Sequence, residues 1–299
     1  GEDAYIVFSD NSPNRAVIGS VDAGRIGADA GRRSLRPVMN DVLRSYQLQG
    51  RWFAVDNDTY YMGTQIADGG DVPGGWPMVR TWISMVGLSC GAAITSDPWH
   101  RDSLRHHWRN VEVLTPPAKE RTEVLDLCRE PQWPRLVGHV ARYWGDWTVA
   151  LLWNPGDSET SIRLDFAGAG LDPAKNYAVW SFWDNRYLGV ASGSWTTPTL
   201  APSGSQHLRF TDLDRTPNKP VVIGSSLHIY CGAAELKPAS RAHSHRRQVQ
   251  FGNGFAGLVI DHAASQPARL HQVQLRLGHR TPGGERHLPI VGPARGGRE

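Results

Sequence analysis

Residues 19–31 contain an arginine and an acid whose types and spacing could serve chemistry. The segment reads GSVDAGRIGADAG, with Arg25 and Asp29 four residues apart among four glycines. Because four glycines in this segment disfavour a stable helix, Arg25 and Asp29 are expected outside helical structure. A carboxyl group held there beside a guanidinium could exchange a proton with a bound molecule. The alternative is a surface turn with an ordinary Arg–Asp pair, because this spacing is common by chance.

The elements on either side favour the chemical interpretation. The apolar stretch 17–21 is predicted to be a strand, and a helix with an apolar stripe follows Asp29. In parallel β/α folds, the segments after the strands lie together at the carboxyl-end face, where active sites are found. Glycoside hydrolysis needs two carboxyl groups beside the scissile bond, one of them a proton donor. Asp29 would be that donor, and Arg25 would hydrogen-bond substrate hydroxyls.

Other glycine-rich and metal-binding motifs do not fit this sequence. The segment GRIGADAG lacks the G-x-G-x-x-G spacing of a dinucleotide-binding loop. It also lacks the alternating acids and distal glutamate of a calcium loop. The three cysteines are far apart and show no CxxC or Cys/His spacing. The sequence therefore predicts no cofactor and no metal site.

The composition is that of a globular protein with nearly balanced charge. The chain has 299 residues, of which 40% are hydrophobic and 20% are charged, and its formal net charge is +3. This balance gives no reason to expect a nucleic-acid partner. No apolar run reaches the roughly 18–20 residues of a membrane span, and the first residues do not resemble a signal peptide. The start close to a strand-like run indicates a truncated amino terminus, while localisation and oligomeric state stay open.

The first part of the chain alternates between strands and helices. Strands are predicted at residues 5–8, 17–21, 51–55 and 92–95. Helical stripes run from Leu35 to Tyr46 and from Val79 to Val86. This alternation predicts parallel β/α units whose polar segments share one end of a sheet.

The pattern changes after about residue 115. Short β-type runs separated by turn residues, such as WTVALLWN, YAVWSFWD and QHLRFTDL, predict an antiparallel sandwich. We predict a boundary near residue 130, with an α/β part at 1–130, a β-sandwich at 131–236 and a basic, poorly patterned tail at 237–299.

Five segments in one order make the sequence similar to a known family. They are VDAGRIGAD, VDNDTYYMG, VRTWISMVGLSCGAAITSD, YAVWSFWDNRYLGV and VVIGSSLHIYCGAAEL. Over roughly residues 4–235 the chain resembles the carboxyl-terminal half of melibiase-type glycoside hydrolases, the α-galactosidases and their relatives. The resemblance implies an α/β fold consisting of about strands five to eight of a (β/α)8 TIM barrel, followed by an all-β antiparallel sandwich.

The resemblance also implies roles for individual residues. The family's acid/base lies in an R-x-x-x-D segment after the sixth barrel strand, which Arg25 and Asp29 match. Its D-P-D motif after the seventh strand resembles residues 56–58, with Asn57 in place of the proline. The family's nucleophile is an aspartate after the fourth strand, and no residue before Tyr5 can hold it. Asp10, which follows the fifth-strand equivalent, is a candidate substrate contact.

Further candidates have structural alternatives. Asp56 and Asp58 would contact substrate or else bind backbone amides at the strand end. Trp76 would stack on a sugar ring or else pack within its loop, and the same holds for Trp99. His243 and His245 form an H-x-H pair, which a solvated basic tail explains better than a metal site.

The expected function is glycoside hydrolysis with retained anomeric configuration. The substrate would be an oligosaccharide or glycoside ending in α-linked galactose or a related sugar. Asp29 is present as acid/base and the nucleophile is missing, so the isolated chain is expected to be inactive. Two alternatives stay open: an α-galactosyl transglycosylase of the same fold, and a non-catalytic carbohydrate-binding remnant.

Overall fold

The structure is a computed structural model that describes part of the chain. The described residues are 4–9, 15–27, 29, 36–61, 63–64, 71–89, 91–95, 97, 107–117, 120–125, 134–215, 221–234, 259–261 and 269–271. The candidate substrate contact Asp10 lies outside them, and so do Trp99, His243 and His245.

The first part of the chain forms parallel strands, as the alternation predicts. Its strands are β1 (Val7–Phe8), β2 (Ala23–Arg25), β3 (Ala54–Asp56), β4 (Thr59–Tyr60) and β5 (Ile94–Thr95). The first three pair in parallel in the order β1-β2-β3, and β4 pairs in parallel with β5.

The β5 segment also lies beside β3. The N–H groups of Gly91 and Ala92, just before β5, both donate to the carbonyl oxygen of Val55, at 3.1 Å each. The spatial order of the parallel strands is therefore the same as their order in the chain, with β5 after β3.

Two helices connect these strands. They are α1 (Arg36–Ser45), between β2 and β3, and α2 (Gly75–Ser89), between β4 and β5. The predicted stripe of α1 is buried, with Val38, Met39, Val42 and Leu43 at most 4% exposed. A stripe at this spacing is the sequence signature of a helix covering a sheet, and here the prediction is confirmed.

Helix α2 is buried on two sides because it lies between the parallel strands and a second sheet. Trp82 Nε1 donates to the carbonyl oxygen of Thr59 in β4. Towards the second sheet, Ser84 Oγ accepts a hydrogen bond from Trp183 Nε1 at 2.9 Å. A helix that is apolar almost all round requires such a position between two layers.

The predicted strand at residues 17–21 is wrong. Residues 15–17 form a 3₁₀ helix, and the strand is β2, which lies within the glycine-rich segment itself. A Cβ atom at Gly24 would lie 2.6 Å from Cε2 of Phe53. The glycine thus allows Phe53 to pack against β2, and this requirement overrides the weak strand propensity of the AGR sequence.

Most strands in the rest of the chain belong to one antiparallel sheet. This sheet has six strands in the order β11-β10-β13-β8-β7-β6, and β9 and β12 form a separate pair. The strands are β6 (Thr122–Val124), β7 (Arg135–Arg142), β8 (Gly145–Trp153), β9 (Arg163–Asp165), β10 (Tyr177–Ser181), β11 (Arg186–Ala191), β12 (Ser194–Thr196) and β13 (Ser205–Asp212). The antiparallel arrangement predicted for this part is confirmed.

The six-stranded sheet is covered on both faces. One face contributes Leu152, Leu208 and Phe210 to a core that also contains Leu164 and Phe166 from the β9 region. The other face shares a larger core with the parallel part, in which Trp153 belongs to the same cluster as Val55, Trp82 and Ile83. The parallel part and the sheet are therefore held together by one continuous apolar core.

The predicted boundary near residue 130 stays a prediction, although β6, which precedes it, pairs with β7 in the antiparallel sheet. Within the predicted tail, β15 (Val259–Asp261) and β16 (Arg269–His271) join β14 (Val221–Val222) in a further antiparallel sheet. Helix α3 (Arg109–Glu112) precedes β6.

His207 in β13 is expected to make stability depend on pH. Its Nδ1 lies 3.0 Å from Ser84 Oγ, and burial lowers the pKa of His207 to about 3. After unfolding, the ring binds a proton below a pH of about 6.5, so the free energy of unfolding should fall as the pH drops from there towards 3. At pH 5 the expected loss from His207 is about 2 kcal/mol.

Denaturant unfolding at pH 7 and pH 5 measures this loss. In the His207→Gln variant, the free energy of unfolding should differ less between pH 7 and pH 5, by about 2 kcal/mol. The same pH dependence in the variant and the parent chain would contradict the assignment.

Within the described ranges, no helix is long and apolar enough to cross a membrane. The same residues contain no group of three or more histidine, cysteine or acidic side chains arranged to hold a metal ion.

Candidate active site

The parallel register places Arg25 and Asp56 side by side. Arg25 is the last residue of β2, Asp56 is the last residue of β3, and the two are direct partners in the ladder. The carboxyl ends of these strands therefore meet at one edge of the parallel sheet, which is where the sequence predicts the site.

One nitrogen of Arg25 connects two carboxylates. Its Nη2 lies 2.7 Å from Asp29 Oδ1 and 2.8 Å from Asp58 Oδ2. The two distances limit the separation of these carboxylate oxygens to about 5.5 Å (2.7 Å plus 2.8 Å). The structure thus brings together three of the predicted site residues, which are separated by up to 33 positions in the sequence.

The three side chains differ in their contact with solvent. The side chain of Asp29 is 82% exposed, whereas those of Arg25 and Asp58 are 13% and 19% exposed. Asp29 is therefore the member of the group that an incoming molecule meets first. The guanidinium of Arg25 lies deeper, where it fixes the positions of both carboxylates.

Asp56 organises the turn that follows β3. Its Oδ1 accepts a hydrogen bond from the backbone N–H of Asp58 at 2.9 Å, and Asp58 adopts a positive φ of 68°. An Asp side chain that binds the backbone two residues on forms an Asx-turn, which stabilises such a conformation. This is the backbone contact that the sequence left open as an alternative to a substrate contact.

Burial changes the pKa of Asp56. The carboxyl is almost inaccessible, and desolvation raises its pKa above the usual value, although the Asp58 N–H and the Arg25 charge counteract this. The Asp58 charge adds a smaller rise. Asp56 is thus a buried, polar support for Asp58 and Arg25.

Two buried groups at this edge have spare hydrogen-bonding atoms. Within the part of the chain that the structure describes, Arg25 Nε and both side-chain atoms of Asn57 have no hydrogen-bond partner. Asn57 is 1% exposed and stands where the resembling family has proline. Buried polar atoms are normally paired, and a bound water, an ion or a polar ligand is the usual partner of such atoms.

The carboxyl end of β5 adds polar residues that were not predicted as site residues. Asp97 is 3% exposed and lies beside Thr95. Burial, together with the nearby Asp97 charge, raises the pKa of Tyr60 to about 12. The position of Asp97 directly after a predicted strand was the signal that could have identified it.

A second glycine explains how the loop after β2 reaches the site. A Cβ atom at Gly27 would lie 2.4 Å from Oδ2 of Asp41 in α1. Gly27 therefore passes against α1 at a distance that a larger residue would not permit without displacing Asp41.

Trp76 packs apart from the Arg25 group. It is in the first turn of α2, and its ring lies edge-on to that of His107 with centroids 4.8 Å apart. Because α2 begins where the parallel strands end, Trp76 is on the same face of the molecule as the candidate site.

A cavity lies at the opposite end of the parallel strands. It has a volume of about 430 Å³ and is lined by residues that precede β3 and β5, including Gln49 and Ser89, and by Glu120, Thr122 and Tyr230. The candidate residues contribute nothing to it, so it does not belong to the site predicted from the sequence.

Comparisons with known proteins identify the fold. No family model and no curated protein sequence matches the chain. Among solved structures, a GH27 β-L-arabinopyranosidase from Geobacillus stearothermophilus in complex with arabinose matches with a TM-score of 0.56, at 13% identity, over 69% of this chain and 50% of that one. α-Galactosidase I from Mortierella vinacea matches with a TM-score of 0.53, at 13% identity, over 69% of this chain and 58% of that one.

The chain has the fold of the melibiase-type glycosidases. The resemblance indicated by the five sequence segments is thereby confirmed at the level of the fold. The chain spans about half the length of these melibiase-type structures.

Proposed function

We propose that the chain is the part of a retaining glycoside hydrolase that carries the acid/base residue. The substrate would end in α-linked galactose or a related sugar. Asp29 would be the acid/base and Arg25 a substrate contact, whereas the nucleophile would be missing from this chain and come from another polypeptide segment. Asp58, Asp10 and Trp76 are proposed as further substrate contacts, and Asp56 as the residue that supports Asp58.

The observation that carries the proposal is the Arg25–Asp29–Asp58 group at the carboxyl ends of parallel strands. In parallel β/α enzymes this edge is where catalytic side chains are found. The proteins that share the fold are named as a β-L-arabinopyranosidase and an α-galactosidase. An exposed carboxyl beside a deeper guanidinium suits such a substrate, because sugar hydroxyls bind to both groups.

The proposed reaction has two steps. In the first, the nucleophilic carboxylate attacks C1 of the terminal sugar, and Asp29 transfers its proton to the departing glycosidic oxygen. In the second, Asp29, now a carboxylate, removes a proton from water, whose oxygen attacks C1 and releases the nucleophile. Asp29 ends the cycle protonated, and the sugar keeps its anomeric configuration.

Asp58 is not the partner carboxylate in this arrangement. Its separation from Asp29, at most about 5.5 Å, resembles the spacing of roughly 5–5.5 Å in retaining enzymes. However, the same Arg25 nitrogen contacts both carboxylates, so the guanidinium occupies the position where the sugar carbon would have to be. Asp58 therefore holds Arg25 in place.

The test uses this chain joined to a polypeptide that supplies the remaining parallel strands. The joined protein is called the complete enzyme. It should release p-nitrophenol from the α-galactoside or from the β-L-arabinopyranoside, and far more slowly from the α-glucoside. Proton NMR of the first product should show retained configuration. Inverted configuration, or equal rates on all three glycosides, would contradict the proposal.

The same assay distinguishes the two alternatives. A transglycosylase would form a new glycoside faster than free sugar when an acceptor sugar is added. A carbohydrate-binding remnant would bind galactosides with an affinity that Asp29→Asn leaves unchanged, and it would not turn them over.

A further inference from the structure

An aromatic and basic patch lies beside the start of α2, apart from the Arg25 group. It consists of Trp76 and Arg80 on α2 and of His107, Trp108 and Arg109 at the start of α3, and it is called here the Trp76 patch. The contact between the rings of Trp76 and His107, with centroids 4.8 Å apart, joins the two segments.

Helical spacing and chain order bring two arginines into this patch. Arg80 follows Trp76 by four residues and so lies on the same side of α2. Arg109 follows His107 by two residues and is fixed by a hydrogen bond from its Nη2 to the carbonyl oxygen of Ser226 at 3.0 Å. The guanidinium of Arg80 lies over the ring of Trp183, 5.8 Å from its centroid.

The charges of the two arginines act on each other, and Glu112 of α3 is the acid that offsets part of this repulsion. Desolvation lowers the pKa of Arg109, and the positive charge of Arg80 lowers it further, with Glu112 counteracting in part. Among the ion pairs of the described residues, none involves Arg80 or Arg109. Two guanidinium groups that repel each other, and that form no ion pair within the described ranges, attract an anion because it removes their mutual repulsion.

The aromatic rings around the arginines are accessible. Trp76 is 38% exposed and Trp108 is 48% exposed, so both indoles have area that other side chains do not cover. Exposed tryptophans next to guanidinium groups combine an apolar surface with directed hydrogen-bond donors. Sugars present the complementary combination of C–H faces and polar substituents.

We propose that the Trp76 patch is a binding site for an anionic saccharide, with Arg80 and Arg109 binding its acidic group and the tryptophans contacting its rings. The acidic group is a sulfate or a carboxylate, both of which match the planar donors of arginine. The choice of a saccharide as carrier of the anion rests on the proposed glycosidase function. The site is on the face where the candidate active site lies, so it would select substrates with an acidic sugar beyond the terminal one.

Binding to the immobilised chain tests this proposal without relying on turnover. The probes are a sulfated galacto-oligosaccharide, a galacturonate oligosaccharide of the same length, the neutral galacto-oligosaccharide and free sulfate. We expect one or both acidic oligosaccharides to bind at least tenfold more tightly than the neutral one and than free sulfate. Raising the salt concentration should weaken this binding.

Arg80→Gln is the main variant, because the contact of Arg80 with Trp183 is on the surface and its loss should leave the fold intact. It should weaken binding of the acidic oligosaccharide about tenfold or more, as expected for a charge-assisted hydrogen bond. Trp76→Ala should weaken it about fivefold. The matched controls are Arg163→Gln in β9 and Tyr143→Ala in the turn between β7 and β8, both exposed residues, which should change nothing.

Three outcomes would overturn the proposal. They are equal binding of neutral and acidic oligosaccharides, free sulfate binding as tightly as the sulfated oligosaccharide, and an unchanged affinity in Arg80→Gln. An inactive complete enzyme that still binds acidic oligosaccharides through Arg80 would refute the proposed hydrolysis and leave this site standing.

Discussion

In the complete enzyme, Asp29→Asn is expected to lower turnover of a galactoside with a sugar leaving group by a factor on the order of 10²–10⁴. This is the usual contribution of general acid–base catalysis. Asparagine keeps the size of the side chain but cannot donate the proton that the glycosidic oxygen needs. The loss should be smaller for p-nitrophenyl α-galactoside in the first step, because nitrophenolate leaves with little protonation.

Asp157→Asn is a matched control for this variant. Asp157 also forms an exposed pair with an arginine, since Arg36 Nη1 lies 2.7 Å from its Oδ1, and its side chain is 91% exposed. Asp157 follows β8 and makes no contact with the Arg25 group among the ion pairs of the described residues, so the variant should retain parental turnover. Because exposed ion pairs contribute little to stability, both variants should unfold at nearly the parental denaturant concentration.

Two results would count against Asp29 as acid/base. One is an unchanged kcat for Asp29→Asn on the sugar substrate. The other is an equal loss in Asp157→Asn, which would point to a general effect of removing a surface charge. Addition of azide gives an independent check on the aryl substrate. Azide should attack C1 of the glycosyl-enzyme of Asp29→Asn in place of water, which needs no general base, and so restore turnover with a glycosyl azide as product.

The chain of residues 1–299 by itself is expected to hydrolyse p-nitrophenyl α-galactoside no faster than buffer. Retaining catalysis needs a carboxylate on the far side of C1 from the acid/base. The carboxylate that the structure places near Asp29 is that of Asp58, and Arg25 lies between them. Without a nucleophile, Asp29 can protonate a leaving group but nothing traps the sugar.

The same chain is also expected to associate in solution. Tyr5 and Ile6 before the edge strand β1, and Val7 within it, are between 48% and 66% exposed. Ile94 in β5 is 42% exposed. Exposed apolar residues on open strand edges promote pairing with other chains. Sedimentation velocity should show species larger than the 33.0 kDa monomer.

Turnover by the isolated chain would show that the nucleophile lies within it. The variants Asp10→Asn and Asp58→Asn would then identify it. The variant that lacks the nucleophile should lose activity, and the other variant should keep it. A purely monomeric chain at high concentration would contradict the expected association and leave the expectation of inactivity in place.

The sequence by itself determined the elements whose pattern repeats over several turns or strands. The apolar stripes from Leu35 to Tyr46 and from Val79 to Val86 predicted two helices, and α1 and α2 are present there, because helical periodicity reflects one face towards a core. The strand-like runs from about residue 147 to residue 213 likewise predicted antiparallel strands. The order of five short segments predicted the melibiase-type fold, which the structural comparison supports.

The shortest strands could not be placed from the sequence. Strand β2 is only three residues long and contains a glycine, so local propensity shifted the predicted strand to the more apolar residues 17–21. Its true position depends on Phe53, which packs against the glycine from a distant part of the chain. Contacts between segments far apart in sequence leave no local signal.

Only the tertiary structure decided how the candidate residues meet. The R-x-x-x-D spacing predicted that Arg25 and Asp29 are neighbours, and their pair is present. The contact of Arg25 with Asp58, which removes Asp58 as a partner carboxylate, depends on the parallel register of β2 with β3 and on the Asx-turn at Asp56. Register and turn geometry are set by packing of the whole sheet, and so is the meeting of Trp76 with His107.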